Sequence, residues 1–206
     1  MWVVERPADW DGETAVILAP GAGAGIVSPF MSFFLRDLCA RGFLSVQFDF
    51  EYMRQGRRAP DPQPKLRARY REVIEGVQAE YRPRRLLVGG KSMGGRVSSY
   101  IAGEMDVVSG LVFLGYPLHP PGKPDQLRDE HLYDLAKPML FLSGTKDSLA
   151  ERGLLQRVVG RLGERATIVW FENGDHSLRA GRKDTTYLTR ASDVLEGWIR
   201  LLPAVR

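Results

Sequence analysis

The segment Gly89-Gly90-Lys91-Ser92-Met93-Gly94-Gly95-Arg96 (GGKSMGGR) holds two overlapping signals that require different local structures and different chemistry. Read through GKS, it ends a phosphate-binding loop, with Lys91 on phosphates and Ser92 on magnesium; read through GKSMG, it is G-x-S-x-G, a strand-to-helix elbow presenting a serine nucleophile. A phosphate loop needs its first glycine five residues before Gly90, so that backbone N–H groups can wrap the phosphates. That position is Arg85, and the Leu-Leu-Val-Gly between is apolar strand with no loop left to form a cradle. The elbow needs the opposite arrangement: a strand running straight into the turn, and small neighbours that let strand and helix approach. RLLVGG at 85–90, then Gly94 and Gly95, supply both.

Outward from the elbow, short apolar and β-branched runs recur: TAVILAP at 14–20, FLSVQFDF at 43–50, GLVFLGYP at 110–117, PMLFLSG at 138–144 and ATIVWFE at 166–172. Each has the length of a strand buried on both faces, the form a parallel sheet produces. Helical patterns lie between them. SPFMSFFLRDLCARG at 28–42 opens with Ser28 as N-cap and Pro29 at the first helical position, and stops at Gly42. KLRARYREVIEGVQAEY at 65–81 puts Leu66, Tyr70, Val73, Ile74 and Val77 on one face. SMGGRVSSYIAGE follows the elbow, SLAERGLLQRVVGRLG follows PMLFLSG, and TTYLTRASDVLEGWIRLL at 185–202 is the last pattern. Six alternations of strand and helix predict a single α/β domain over 1–206. Its form is a three-layer α/β/α sandwich around a mostly parallel sheet of about six or seven strands, without a large lid. The long irregular stretches, 51–65 and 117–130, are rich in proline and charge and read as functional loops.

Ligands of open α/β sheets bind at the carboxyl ends of the strands. Those ends carry PGAGAG at 20–25, Asp49 and Tyr52, Ser92, Tyr116 and His119, Asp147, and finally Asp175 and His176. A serine hydroxyl needs a base oriented by an acid, and the chain order Ser, Asp, His suits this architecture. We therefore assign Ser92 as nucleophile, His176 as base and Asp147 as acid. Asp147 also reads as a helix cap, with Asp175 and Glu172 as alternative acids. Charge developing on a carbonyl oxygen needs N–H donors; the candidates are Met93, first in the helix after the serine, and Ala22, with Gly23 second. Tyr116, His119 and Gly23 are candidate substrate contacts, although a proline-flanked His119 also reads as structural. His131 reads as helix surface.

A net charge of +4, with arginines spread along the chain and no basic run interleaved with aromatics, argues against a nucleic-acid partner. Cys39 is the only cysteine, which leaves no internal disulfide and no Cys-rich metal site. The N-terminal stretch has charges among its apolar residues, unlike a signal-peptide core, and no window holds 18 uninterrupted apolar residues. The expectation is a soluble, cytoplasmic protein with a small-molecule acyl substrate, no membrane association, no organic cofactor and no metal.

With these residues in view, the chain resembles a compact α/β hydrolase of the dienelactone-hydrolase-like kind. More narrowly, it resembles bacterial hydrolases that share a domain with the third subunit of the NSL histone acetyltransferase complex. The segments carrying the likeness are PGAGAGIVSPFM, FDFEYM, GGKSMGGRVSS, GYPLHPPGKPDQLRDEHL, SGTKD and GDHSL, over roughly residues 14–180. The resemblance implies a Ser92, Asp147, His176 triad with a backbone oxyanion hole and ester or thioester hydrolysis. It also admits a non-catalytic interaction module, a serine peptidase or an acyltransferase. Pro20 departs from the pattern, standing where many relatives have histidine, and Glu51 stands where proline is expected.

Overall fold

The computed structural model describes residues 2–184 and 186–203. Among the described residues, seven strands form one sheet: β1 (Trp2–Glu5), β2 (Thr14–Ala19), β3 (Leu44–Phe48), β4 (Arg85–Lys91), β5 (Val108–Leu114), β6 (Met139–Gly144) and β7 (Ala166–Phe171). Their order is β1-β3-β2-β4-β5-β6-β7, and every neighbour pair is parallel except β1 with β3. The helices are α1 (Pro29–Ala40), α2 (Glu51–Arg54), α3 (Gln63–Tyr81), α4 (Met93–Ala102), α5 (Arg152–Leu162) and α6 (Tyr187–Leu201).

Side chains alternate across a strand, and the central strands send two apolar sets to two layers. Ala15, Ile17, Val88, Leu111 and Phe113 pack with α3, α4 and α5 through Val73, Val97, Ile101 and Leu155. Val16, Leu18, Leu87, Val112 and Leu114 pack with α1 and α6 through Phe34, Leu38, Leu195 and Ile199. The three-layer, mostly parallel sandwich expected from the alternating runs is thus observed.

Local signals explain several boundaries. The Ser28 hydroxyl accepts the Met31 N–H at 3.4 Å, and Pro29 opens α1. Gly42, with φ +94°, follows its C-cap. Three details differ from expectation. β1 is an antiparallel edge strand of four half-buried or exposed residues, too short to stand out beside the longer runs. The irregular 51–65 stretch contains α2 and the first turn of α3, where Pro64 sits within the first two helical positions that tolerate proline. α5 starts at Arg152, because residues 148–151 form a turn closed by Asp147; Thr185, expected to open α6, lies outside the described residues.

The topology positions the site. From β2 the chain steps outward to β3, then returns across β2 to β4 and continues to β7 in the other direction. The order reverses between β2 and β4, so the loops leaving these strands diverge and open a crevice at their carboxyl ends. Those loops are Pro20–Gly25 and the Ser92 elbow.

Candidate active site

Ser92 sits at φ +51°, ψ −115°, a conformation that costs a non-glycine residue on the order of 1–3 kcal/mol and requires its surroundings to enforce it. The enforcement comes from close approach. A Cβ on Gly90 would lie 2.1 Å from the Ala19 carbonyl oxygen, and one on Gly94 would lie 2.3 Å from the same atom. Only glycines let β4, β2 and the start of α4 meet this tightly. Beneath the turn, the buried Tyr70 hydroxyl accepts the Gly89 N–H at 2.9 Å and lies 2.7 Å from the Gly89 carbonyl, pinning the strand end.

The serine hydroxyl lies 2.8 Å from His176 Nε2. On the other side of the ring, Nδ1 is 2.8 Å from Asp147 Oδ2 and 2.9 Å from Oδ1. The Asp147 side chain is fully buried, whereas that of His176 is 22% exposed. Asp147 also accepts the Leu149 N–H at 2.8 Å and so closes the turn before α5; it does not cap that helix, whose N-cap is Glu151. It is held opposite the histidine because the β6 and β7 loops are tied together: Lys146 N–H donates to the Gly174 carbonyl at 2.8 Å and Thr145 N–H to that of Phe171 at 3.0 Å. The alternative acids are occupied elsewhere. Asp175 accepts the N–H groups of Ser177 and Arg179 within its own turn, and Glu172 is exposed beside Thr145 and Arg152.

Ala22 and Met93 line the same cleft as Ser92, which has a volume of about 290 Å³. The Met93 N–H begins α4, where a helix leaves its first donors without intrahelical acceptors. The Gly23 N–H is already given to the Tyr52 hydroxyl at 3.2 Å, whereas Ala22 lines the cleft beside the serine. Neighbouring contacts fix this loop: Asp49 Oδ1 accepts the Ile26 N–H at 3.0 Å, and a Cβ on Gly21 would touch Ser92 Cβ at 3.6 Å.

Two candidate substrate contacts are not brought to the cleft. Tyr116 is buried in the core against Phe113 and Phe141, and its hydroxyl donates to the Arg128 carbonyl at 2.7 Å. His119 is also buried, 3.0 Å from the Pro120 carbonyl through Nδ1, while Nε2 accepts the Glu151 N–H at 3.4 Å. It borders a separate depression on the far side of Asp147. Gly23 is a loop anchor through Tyr52. His131 is no helix-surface residue: it stacks on Tyr100 with centroids 3.9 Å apart, and its Nε2 is 2.8 Å from Ser99 Oγ. Burial and then the charge of Arg96 push its pKa down to about 4.

The long loops prove to be the cleft walls, with Pro60 and Asp61 from one and Pro117 and Arg128 from the other. One site residue escaped the sequence reading in its role. Lys91 turns its ammonium away from the cleft, over the Phe30 ring at 5.6 Å, and donates to the His176 carbonyl. Burial lowers its pKa to about 8 against the opposing influence of Asp147 and Asp175.

The same spatial arrangement of strands and helices occurs in solved structures of low sequence identity. A serine hydrolase without a lid from Xanthomonas campestris superposes with a TM-score of 0.76 at 21% identity, over 100% of this chain and 90% of that one. A dienelactone hydrolase from Anabaena variabilis gives 0.77 at 18% identity, covering 100% and 92%. An α/β serine hydrolase homologue from Coxiella burnetii gives 0.74 at 17% identity, covering 98% and 91%. At such identities the likeness speaks for the fold. The family model described as alpha/beta hydrolase domain matches residues 12–200, from the turn before β2 to the last turns of α6 and thus across the elbow, both cleft loops and the histidine turn. The chain belongs to the alpha/beta hydrolase domain family.

Proposed function

We propose that the protein is a serine hydrolase that cleaves an ester or thioester of a small or exposed acyl group through an acyl-enzyme on Ser92. The observation that carries this reading is the continuous contact from Asp147 through His176 to Ser92, both links at 2.8 Å, ending on a serine held in a strained elbow. With Asp147 accepting the Nδ1 proton, Nε2 is left as the acceptor for the serine proton.

In the first half-reaction Ser92 Oγ attacks the carbonyl carbon while His176 Nε2 takes the hydroxyl proton. The Met93 and Ala22 N–H groups receive the oxyanion, aided by the positive end of α4. Collapse breaks the bond to the leaving oxygen or sulfur, which departs with the proton from His176. Water then attacks the acyl-enzyme, His176 takes its proton, and the acid leaves as Ser92 recovers the proton. Asp147 stays ionised and stabilises the imidazolium. The narrower likeness to hydrolases sharing a domain with the third NSL subunit, carried by YPLHPPGKP at 116–124, belongs to this same reading.

The test is hydrolysis of a 4-nitrophenyl ester series by wild type, Ser92→Ala, His176→Ala and Asp147→Asn. Substitution of any of the three is expected to lower kcat by about 10³-fold or more, with short acyl chains preferred. Turnover that persists in Ser92→Ala contradicts the assignment of the nucleophile.

A further inference from the structure

The wall of the Ser92 cleft carries polar groups that acyl transfer does not use. Arg96 lies on α4 one turn past the serine, its backbone N–H donating to the Ser92 carbonyl at 3.1 Å. Arg128 enters from the loop after β5, and Gln63 from the start of α3. Among the described residues, neither guanidinium has a hydrogen-bond or ion-pair partner, and Arg96 Nε is fully enclosed without an acceptor. Both polar atoms of the Gln63 side chain are likewise enclosed and unpartnered.

This differs from how the chain treats other cations. Arg41 contacts three carboxylates, Arg57 pairs with Asp61 at 2.8 Å, and Arg165 and Arg85 donate to backbone carbonyls. The acids around the cleft do not neutralise the pair: Asp61 serves Arg57, and Asp129 accepts the Tyr133 hydroxyl at 2.5 Å. Burial, and next the charge of Arg96, hold the Arg128 guanidinium below the usual arginine value. Two like charges set close together in a desolvated wall are unfavourable alone and become favourable when an anion accepts from both.

We propose that Arg96 and Arg128, with the Gln63 amide, form an oxyanion-binding subsite in the Ser92 cleft, so that the preferred substrate carries a carboxylate or phosphate near its scissile carbonyl. The position of that carbonyl rests on the hydrolase reading above. One helical turn separates Ser92 from Arg96, a rise of about 6 Å, so the anion sits a few bonds from the reacting carbon. Arginine suits this task because its planar fork grips an oxyanion by two parallel donors.

The charge preference is measured with 4-nitrophenyl hydrogen adipate against 4-nitrophenyl hexanoate, which share the acyl length and differ in the terminal carboxylate. Wild type is expected to favour the adipate by about tenfold or more in kcat/KM, the scale of one charge-assisted contact. The ratio should fall toward one in Arg96→Met and in Arg128→Met, recover in part in Arg96→Lys, and shrink with added salt. The ratio is internal to each variant and therefore does not depend on how much folded enzyme a variant yields. Independently of turnover, titration calorimetry of Ser92→Ala with adipate and with inorganic phosphate should show binding that Ser92→Ala/Arg96→Met lacks; the stronger ligand identifies the anion. Hydrolysis without charge preference overturns the subsite and leaves the hydrolase reading intact. Anion binding by Ser92→Ala without ester turnover by wild type overturns the hydrolase reading and supports the subsite. Absence of both the preference and the binding overturns the proposal.

Discussion

The ammonium of Lys91 donates to the carbonyl of His176, so the residue immediately before the serine holds the backbone of the histidine that the serine contacts. The two come from β4 and from the loop after β7, and Gly115 makes room for them: a Cβ there would lie 2.5 Å from the His176 oxygen and 3.0 Å from Lys91 Nζ. The ammonium faces Asp147 and Asp175.

Replacing Lys91 by methionine should therefore loosen the backbone that carries His176. A fall in kcat of roughly tenfold with KM little changed is expected, because a slightly misplaced base costs rate rather than binding. Lys91→Arg, which keeps a donor, should lose less. Unchanged kcat in Lys91→Met would show that the contact does not position the histidine.

The same lysine makes stability depend on pH. Its folded pKa of about 8 lies below the ordinary lysine value of 10.5. Between these limits the unfolded chain holds a proton that the native chain has released, so this residue's contribution to stability rises with pH through that window. Below about pH 8 the full burial penalty applies. Chemical denaturation of Lys91→Met against wild type should show its most favourable stability difference at neutral pH and a declining one toward pH 10.

His131 works at the acid end. With a folded pKa near 4 and an ordinary value of 6.5, it is neutral in the native state while the unfolded chain takes up a proton. Its contribution is present above pH 6.5 and is lost as pH falls toward 4. Tm is expected to decline across that range, and the decline should be shallower in His131→Asn.

Tyr52→Phe tests the loop that carries Ala22. The exposed Gly23 N–H would lose its Tyr52 acceptor, a hydrogen bond worth about 0.5–1.5 kcal/mol net. The expected result is a fall in kcat of roughly tenfold with KM little changed, since oxyanion donors act on the transition state rather than the ground state. A change confined to KM would place Tyr52 in substrate binding instead.

Gly94→Ala tests the elbow. Its Cβ would meet the Ala19 and Pro20 carbonyl oxygens at 2.3 and 2.8 Å, both backbone atoms that cannot swing aside. A loss of about 2–4 kcal/mol is expected, read as a lowered Tm. Unchanged stability would show that β2 and α4 separate more easily than their packing implies.

What sequence revealed followed the range of each interaction. The parallel sheet was legible because strands such as AVILA at 15–19 are buried on both faces and announce themselves as apolar runs. Ser92, Asp147 and His176 were legible because strand ends converge on one rim. β1 was not, since a four-residue edge strand with one half-buried face is too short to stand out as a strand signal. Tyr116 and His119 were read correctly to the rim yet point into the core and toward Glu151, directions decided by contacts with Phe141, Arg128 and α5 rather than by strand position. The role of Lys91 depends on Phe30, Gly115 and His176, all far away in sequence, and the spacing of G-x-S-x-G says nothing of it.

Ser92 is proposed to be a nucleophile activated by His176 and Asp147. Treatment with a fluorophosphonate, followed by intact-mass measurement and peptide mapping, tests it most directly. One phosphonyl group on Ser92 in wild type, its absence in Ser92→Ala and much slower addition in His176→Ala are expected; no modification of wild type, or modification that persists in Ser92→Ala, would contradict the account.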